Sequence, residues 1–272
     1  MHRLLVLCVG LCLCAGTQAF TLRVAVEDAN NAPYSYLTEQ GDWAGFHIEI
    51  ARAVAQQLQW DIQFMAYPWP RAQNLLVQGA ADAILYLGQT RKRQSFAFYL
   101  PDNRLHVQRV SFYIRRQDQG DIRFAPPLPA LLDTWRFGAA RDYYIGEEFV
   151  AAVAAGHRLD QTARTPEHLF RMLLGNRIDV AVAETEVFRL FSAKFAEHQS
   201  KIIAMPNAPV QELPMFIAFK RQDDGPRLAE RFAATYAAWR QTEAYFLLIQ
   251  RHGVAASIPE DFRPMHGKRL RD

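Results

Sequence analysis

The feature that most restricts this chain is the alternation of short apolar runs with stretches of helical spacing, in two successive series. Leu22-Arg23-Val24-Ala25-Val26 reads as a strand and Gly41-Asp42 as a turn. Ile48, Ala51, Val54, Ala55 and Leu58 then recur as one face of a helix. Ile62 to Met65 is a short strand, Pro70 opens a helix running to Gly79, and Ala83 to Leu87 is the next strand. The second series has a strand at Phe137 to Ala140 and a helix at Gly146 to Ala155. Thr165-Pro166-Glu167 follows as a helix start: a capping hydroxyl, a proline at the first position and an acid in the first turn. That helix stops at Gly175, and Ile178 to Ala183 is a buried strand. A long helix from Pro226 towards Tyr245 and another ending at Gly253 close the chain. Between the two series the prolines of APPLPALLD, 125–133, read as a surface loop. Strands alternating with helices specify an α/β protein whose mostly parallel sheets are covered on both faces.

With 272 residues, half of them hydrophobic, the chain can bury a large core as one large domain or two lobes. The formal charge of +3 and the lack of a long basic run give no footprint for nucleic acid. The first nineteen residues, MHRLLVLCVGLCLCAGTQA, combine a basic start, an apolar stretch and small residues at Thr17 and Ala19. This is the pattern of a secretory signal, and Leu4 to Gly16 is shorter than the roughly 20 apolar residues of a membrane span. The chain's three cysteines, Cys8, Cys12 and Cys14, all lie inside it, and none follows the small residue that lipid attachment requires. The mature chain then begins near Phe20 in the periplasm, with a charge of +2 (30 basic against 28 acidic residues). It has no disulfide to rely on, so the core alone must hold it.

No GxSxG, GxGxxG, phosphate-loop or HExxH motif is present, and none of the eight histidines pairs at the i, i+4 spacing of a helical metal site. The residues therefore indicate neither a cofactor nor a metal, and the histidines read as surface or packing residues. The densest charge cluster follows the strand AILYL: Gly88, Gln89 and Thr90, then Arg91, Lys92 and Arg93. By itself this is either a solvated turn or an anion site.

The order and spacing of several segments resemble the type II periplasmic solute-binding proteins, specifically the amino-acid-binding group that serves ABC importers (family 3). NAPYSY, 31–36, resembles the family's Pro-aromatic loop, and GDWAGFHIEIARAVAQQL, 41–58, its Gly-Phe-acid-helix segment. GAADAILYLGQTRKRQSFAF, 79–98, resembles its strand followed by Thr-x-x-Arg, and GNRIDVAVAETEV, 175–187, its second-lobe strand ending in an acid. The resemblance runs from Leu22 to the C-terminus. It implies two α/β lobes joined by two crossing strands, with the ligand trapped between them by hinge closure. Lobe one is then expected at 20–110 plus 215–272 and lobe two at 113–207. The crossings are expected near 110–114 and 210–216.

The same resemblance implies a site. Thr90 and Arg93 fall on Thr-x-x-Arg, whose arginine forks onto the ligand's α-carboxylate through two charge-assisted hydrogen bonds. Arg91 and Lys92 then remain solvated. The backbone at Tyr86 and Gly88 faces the ligand, although relatives often carry a hydroxyl residue at the position of Gly88. Glu184, where aspartate is usual, receives the ammonium group, and Glu27 lines the cleft. FGAARDYYIGEEF, 137–149, departs from the Gly-Thr-Thr helix start of relatives. There Asp142 is expected to cap the helix N–H groups itself, while Tyr143 and Tyr144 narrow the cleft. Tyr34, Tyr36, Trp69 and Tyr86 are candidate walls.

The implied activity is capture of a small amino-acid-like solute by a monomer that delivers it to a membrane permease, with no nucleic acid and no cofactor. An enzyme resembling cyclohexadienyl dehydratases is the alternative, with Glu184 as general acid. A sensor domain is the third reading, weakened because no transmembrane helix follows the domain. Protein recovered from the periplasm is expected to start at Phe20 and to carry no thiol, which N-terminal sequencing and thiol labelling check.

Overall fold

A computed structural model describes residues 20–194 and 200–263; the proposed leader, 1–19, and the last nine residues lie outside it. The first series folds as β1 (Thr21–Glu27), β2 (Tyr36–Leu37), β3 (Trp43–Ala44), α1 (Phe46–Gln57), β4 (Asp61–Tyr67), α2 (Trp69–Val77) and β5 (Ala83–Gly88). Then come β6 (Ala97–Phe98) and the long β7 (Arg104–Arg115). The second series comprises α3 (Leu128–Thr134), β8 (Phe137–Ala140), α4 (Glu147–Ala154), β9 (Asp160–Ala163), α5 (Pro166–Leu174), β10 (Val180–Glu184) and α6 (Thr185–Lys194). β11 (Ile202–Ala204), β12 (Gln211–Lys220), α7 (Gly225–Trp239) and α8 (Glu243–His252) follow.

One sheet runs through the molecule in the order β4-β1-β5-β12-β7-β10-β8-β9, with β11 on β7 and β6 on β12. β1 pairs in parallel with β4 and β5, and β8 with β10 and β9. The join is antiparallel: β12 pairs with both β5 and β7, and β7 pairs with β10.

Side chains alternate across this sheet as a period of two requires. Leu22, Val24 and Val26 pack with α1, α7 and α8 on one face, while Ala25 on the other meets Trp69, Ala72 and Leu76 of α2. In the second lobe Phe112, Phe137, Val180 and Val182 share a core with α4, and Tyr113, Ala181 and Ala183 pack against α5 and α6. The α1 start is fixed by Gly45 at φ 115°, where a Cβ would stand 2.5 Å from the Tyr34 carbonyl oxygen. Thr165 caps α5 by accepting from the His168 N–H at 3.2 Å.

Two expectations are corrected. APPLPALLD is not all loop, because Leu128–Thr134 is helical and buries Leu128, Leu131 and Leu132. The prolines occupy the cap and first turn, where a missing N–H breaks no intrahelical bond. The helix from Pro226 does not reach Tyr245. It ends at Trp239, where Arg240 turns to Asp102 at 2.7 Å and lies over the Phe262 ring at 3.5 Å. Thr242 is extended and precedes Glu243, the acidic start of α8.

Asp179, just before β10, ties β8, β10 and β7 together. It accepts from the Arg136 backbone N–H and from the Arg136 guanidinium at 2.7 Å and 2.9 Å, and from Arg115 at 3.2 Å. The hydrogen bonds from Arg136, partly opposed by burial and aided by Arg115, lower its carboxyl to about 2. A depressed acid contributes stability that is present above its unfolded value and is lost as pH falls from about 4 through about 2. The shift corresponds to about 2 kcal/mol. Asp179→Asn is expected to lower the Tm by roughly 5 °C at pH 7 and to flatten the loss of stability between pH 4 and pH 2, read by calorimetry.

Candidate functional site

The carboxyl ends of β1 and β5 face those of β8 and β10 across a narrow cleft with about 50 Å³ of free space. This is where open α/β sheets place ligands. Arg93 stands on the lobe-one wall, 7% exposed, while Arg91 and Lys92 are exposed to solvent. Its guanidinium donates to the Gly88 carbonyl at 3.1 Å, to Gln73 Oε1 at 3.2 Å and, across the cleft, to the Asp142 carbonyl at 2.7 Å. It lies 5.7 Å from the Trp69 ring. Burial lowers its affinity for the proton, but a guanidinium stays charged.

The loop after β8 supplies the other side of this grip. Asp142 has φ 62°, which aims its carbonyl into the cleft while its side chain stays exposed. That carbonyl also accepts from Trp69 Nε1 at 3.1 Å. The Tyr143 hydroxyl donates to Glu27 Oε2 at 2.6 Å, and the same oxygen accepts from Asn31 at 2.8 Å. Burial raises the Glu27 carboxyl above its ordinary range, and the bonds from Tyr143 and Asn31 oppose that rise. Burial, reinforced by the adjacent Glu27 charge, holds the Tyr143 phenol well above its usual value. On the lobe-two wall Glu184, 5% exposed, accepts from the Tyr86 hydroxyl of lobe one. Tyr86 has φ 65° at the end of β5. Its phenol is raised well above the ordinary range by burial first and the Glu184 charge second.

Arg93, Tyr86, Gly88, Glu184, Glu27, Trp69 and Tyr143 therefore line one cleft. Four expected positions differ. Tyr34 is fully buried behind the wall, stacked on His47 and His106 at centroid distances of 4.9 Å and 4.1 Å, so it is core rather than surface of the cleft. Thr90 acts on the backbone, accepting from the Arg93 N–H at 3.1 Å. Asp142 caps nothing: α4 starts at Glu147 with Gly146 at its N-cap, and Asp142 lies in the turn before it. Tyr36 is in the short strand β2, away from the cleft lining.

Sequence reasoning missed Asn31, Gln73, Gln108 and His106. Only Asn31 carried a visible signal, as the first residue of the NAPYSY loop. The missing hydroxyl at Gly88 acquires a physical reason. A Cβ there would stand 2.6 Å from Tyr144 Cδ1 and 3.3 Å from Met215 Cε, so Tyr144 fills that space from the opposite lobe. Gly88→Ala is expected to push Tyr144 aside and cost about 1–3 kcal/mol, with a lowered Tm. Adding Tyr144→Ala should recover most of that specific loss, which a double-mutant cycle by thermal unfolding measures.

The fold matches many solved structures. A histidine kinase sensor domain similar to periplasmic binding proteins superposes with a TM-score of 0.71 at 21% identity, covering 88% of this chain and 98% of that one. A Silicibacter pomeroyi periplasmic binding protein of the His/Glu/Gln/Arg/opine family, in complex with lysine, gives 0.69 at 16%, covering 88% and 99%. An ancestral amino-acid-binding protein described as a precursor of cyclohexadienyl dehydratase gives 0.67 at 17%, covering 85% and 95%. At such identities the likeness is one of fold. No curated protein matches the chain. The family model for bacterial extracellular solute-binding proteins, family 3, matches residues 22–252, most of the chain, and the protein belongs to that family.

Proposed function

We propose that this protein captures a small amino-acid-like ligand between its lobes in the periplasm and delivers it to the permease of an ABC importer. The observation that carries the reading is the charge layout of the cleft. Among the described residues, Asp82 and Asp179 each meet two cationic side chains, whereas Glu27 and Glu184 are buried and meet no arginine or lysine. A buried carboxylate without a cation is costly, and a ligand ammonium group supplies one. Arg93 faces them from the same cleft and takes the ligand's carboxylate in place of the Asp142 carbonyl. The moving bodies are 20–110 plus 215–272 against 113–207, hinged at 110–114 and 210–216. In support, β7 and β12 are the strands on which the two halves of the sheet meet.

A second reading, a dehydratase on this scaffold, is favoured by one feature. Glu184 Oε1 is buried without a hydrogen-bond partner among the described residues, as a proton donor awaiting substrate would be.

A thermal-shift screen of amino acids and small carboxylates supplies the ligand, since a solute bound only by the folded state raises the Tm. For the best hit, Arg93→Ala is expected to weaken binding about 30-fold or more by titration calorimetry. Arg91→Ala and Lys92→Ala should change it little. Equal, small losses from all three would remove Arg93 from the site. Glu184→Gln weakens binding if the group only clamps. If it protonates a leaving group, binding persists while turnover of prephenate or arogenate is lost.

A further inference from the structure

Behind Glu184 lies a run of buried polar atoms that ligand capture as described does not use. His106, on β7, is fully buried, and its Nε2 is 3.7 Å from Glu184 Oε1. Its Nδ1 is 3.0 Å from Nε2 of His47, which is on α1 and fully buried too. Among the described residues, His106 Nε2, Glu184 Oε1 and His47 Nδ1 have no hydrogen-bond partner. The other groups around the pair are accounted for. Tyr34 stacks on both rings, and its hydroxyl is 3.1 Å from Ser257 Oγ. Tyr86 meets both rings edge-on from β5, with its hydroxyl on Glu184. On α8, His252 is held by Glu49 of α1 at 2.7 Å, and Arg251 pairs with the same carboxylate. Glu186 follows on α6.

We propose that His106 and His47 form a proton relay serving Glu184, in which the two imidazoles switch tautomer together. The 3.0 Å contact requires one nitrogen to donate and the other to accept. If His47 Nε2–H donates, His106 carries its proton on Nε2, aimed at an ionised Glu184. If His106 Nδ1–H donates instead, its Nε2 presents a lone pair that accepts a proton from Glu184. Transfer then balances along the run. The Glu184 proton passes to His106 Nε2, the His106 Nδ1 proton passes to His47 Nε2, and the cleft is left with a carboxylate while His47 holds two protons. The reverse sequence returns the proton to Glu184. Burial, with His106 and His252 nearby, holds His47 well below its ordinary value, so the doubly protonated ring returns its proton along the run to Glu184 rather than keeping it. The 3.7 Å gap is too long for a hydrogen bond, so the transfer requires the Glu184 side chain to move towards His106. Both histidines are positioning residues that act through Glu184. The inference rests on the reading of Glu184 as the cleft's working carboxylate, but its test uses the ligand-free protein.

The test is nitrogen NMR of the full chain labelled in histidine. Wild type is expected to show a scalar coupling across the His47–His106 bond and a proton on Nε2 of both rings. In Glu184→Gln, Tyr86 still donates to the side-chain oxygen, so the amide NH₂ faces His106 Nε2 and forces it to accept. His106 and His47 should then both move to the Nδ1–H tautomer, although residue 184 does not touch His47. A variant in which His47 keeps its tautomer overturns the relay, since the proton on one ring then does not follow the proton on the other. If the variant fails to fold, absence of the coupling in wild type overturns it equally. A solute screen with no hit would count against ligand capture while leaving this result intact.

Discussion

The antiparallel ladder between β7 and β12 is the constraint on which everything else hangs. β12 is bonded to β5 from Met215 to Phe219 and to β7 from Gln211 to Phe216, while β7 is bonded to β10 from Val110 to Ile114. Two parallel half-sheets, each with its own helices, are thereby held in one register, and their carboxyl ends are forced to face each other. The ladder is least regular towards its Phe216 end. Pro214 brings no N–H to it, and the register shifts immediately afterwards, between Met215 and Phe216.

Across that join the cleft is electrostatically uneven. Elsewhere in the described chain, carboxylates such as Asp82 sit among cations, with Arg23 at 2.8 Å and Lys220 at 3.1 Å. In the cleft, Glu27 is held by a phenol and an amide, Glu184 by a phenol, and Arg93 largely by main-chain carbonyls. Neutral partners satisfy hydrogen-bond geometry without cancelling charge. The walls therefore keep an unspent field at short range, in a setting where water is mostly excluded and such fields act strongly.

Much of this was legible in the sequence because it depends on local chemistry. The strand-helix alternation, the cap at Thr165 and the stop at Gly175 follow from residue types at fixed offsets. Arg93, Glu184 and Glu27 were reached through the order of segments, since spacing alone left Arg93 between a turn and a site. What was illegible is what arises only from contact between distant segments. Asp142 acts through a carbonyl whose direction is set by φ, not by its side chain. Tyr34 is core because α1 and β7 bring two histidines to its faces. Tyr144 explains Gly88 only once the lobes are folded together, 56 residues apart in sequence. The α3 helix was hidden because prolines read as breakers are also good first-turn residues.

One feature of the cleft bears on how this protein can change over generations. The grip on Arg93 from the far lobe is made by the Asp142 main chain, so no substitution at residue 142 that preserves the turn removes it. Under the proposed capture, an incoming carboxylate would have to displace the protein's own backbone from Arg93. Selection acting on residue identity in this loop can adjust the phenol and the ring that follow. To loosen the resting grip itself it must alter the loop's length or its left-handed turn. Insertions and deletions in residues 141–146, rather than point changes, are the route by which descendants of this chain would alter that contact.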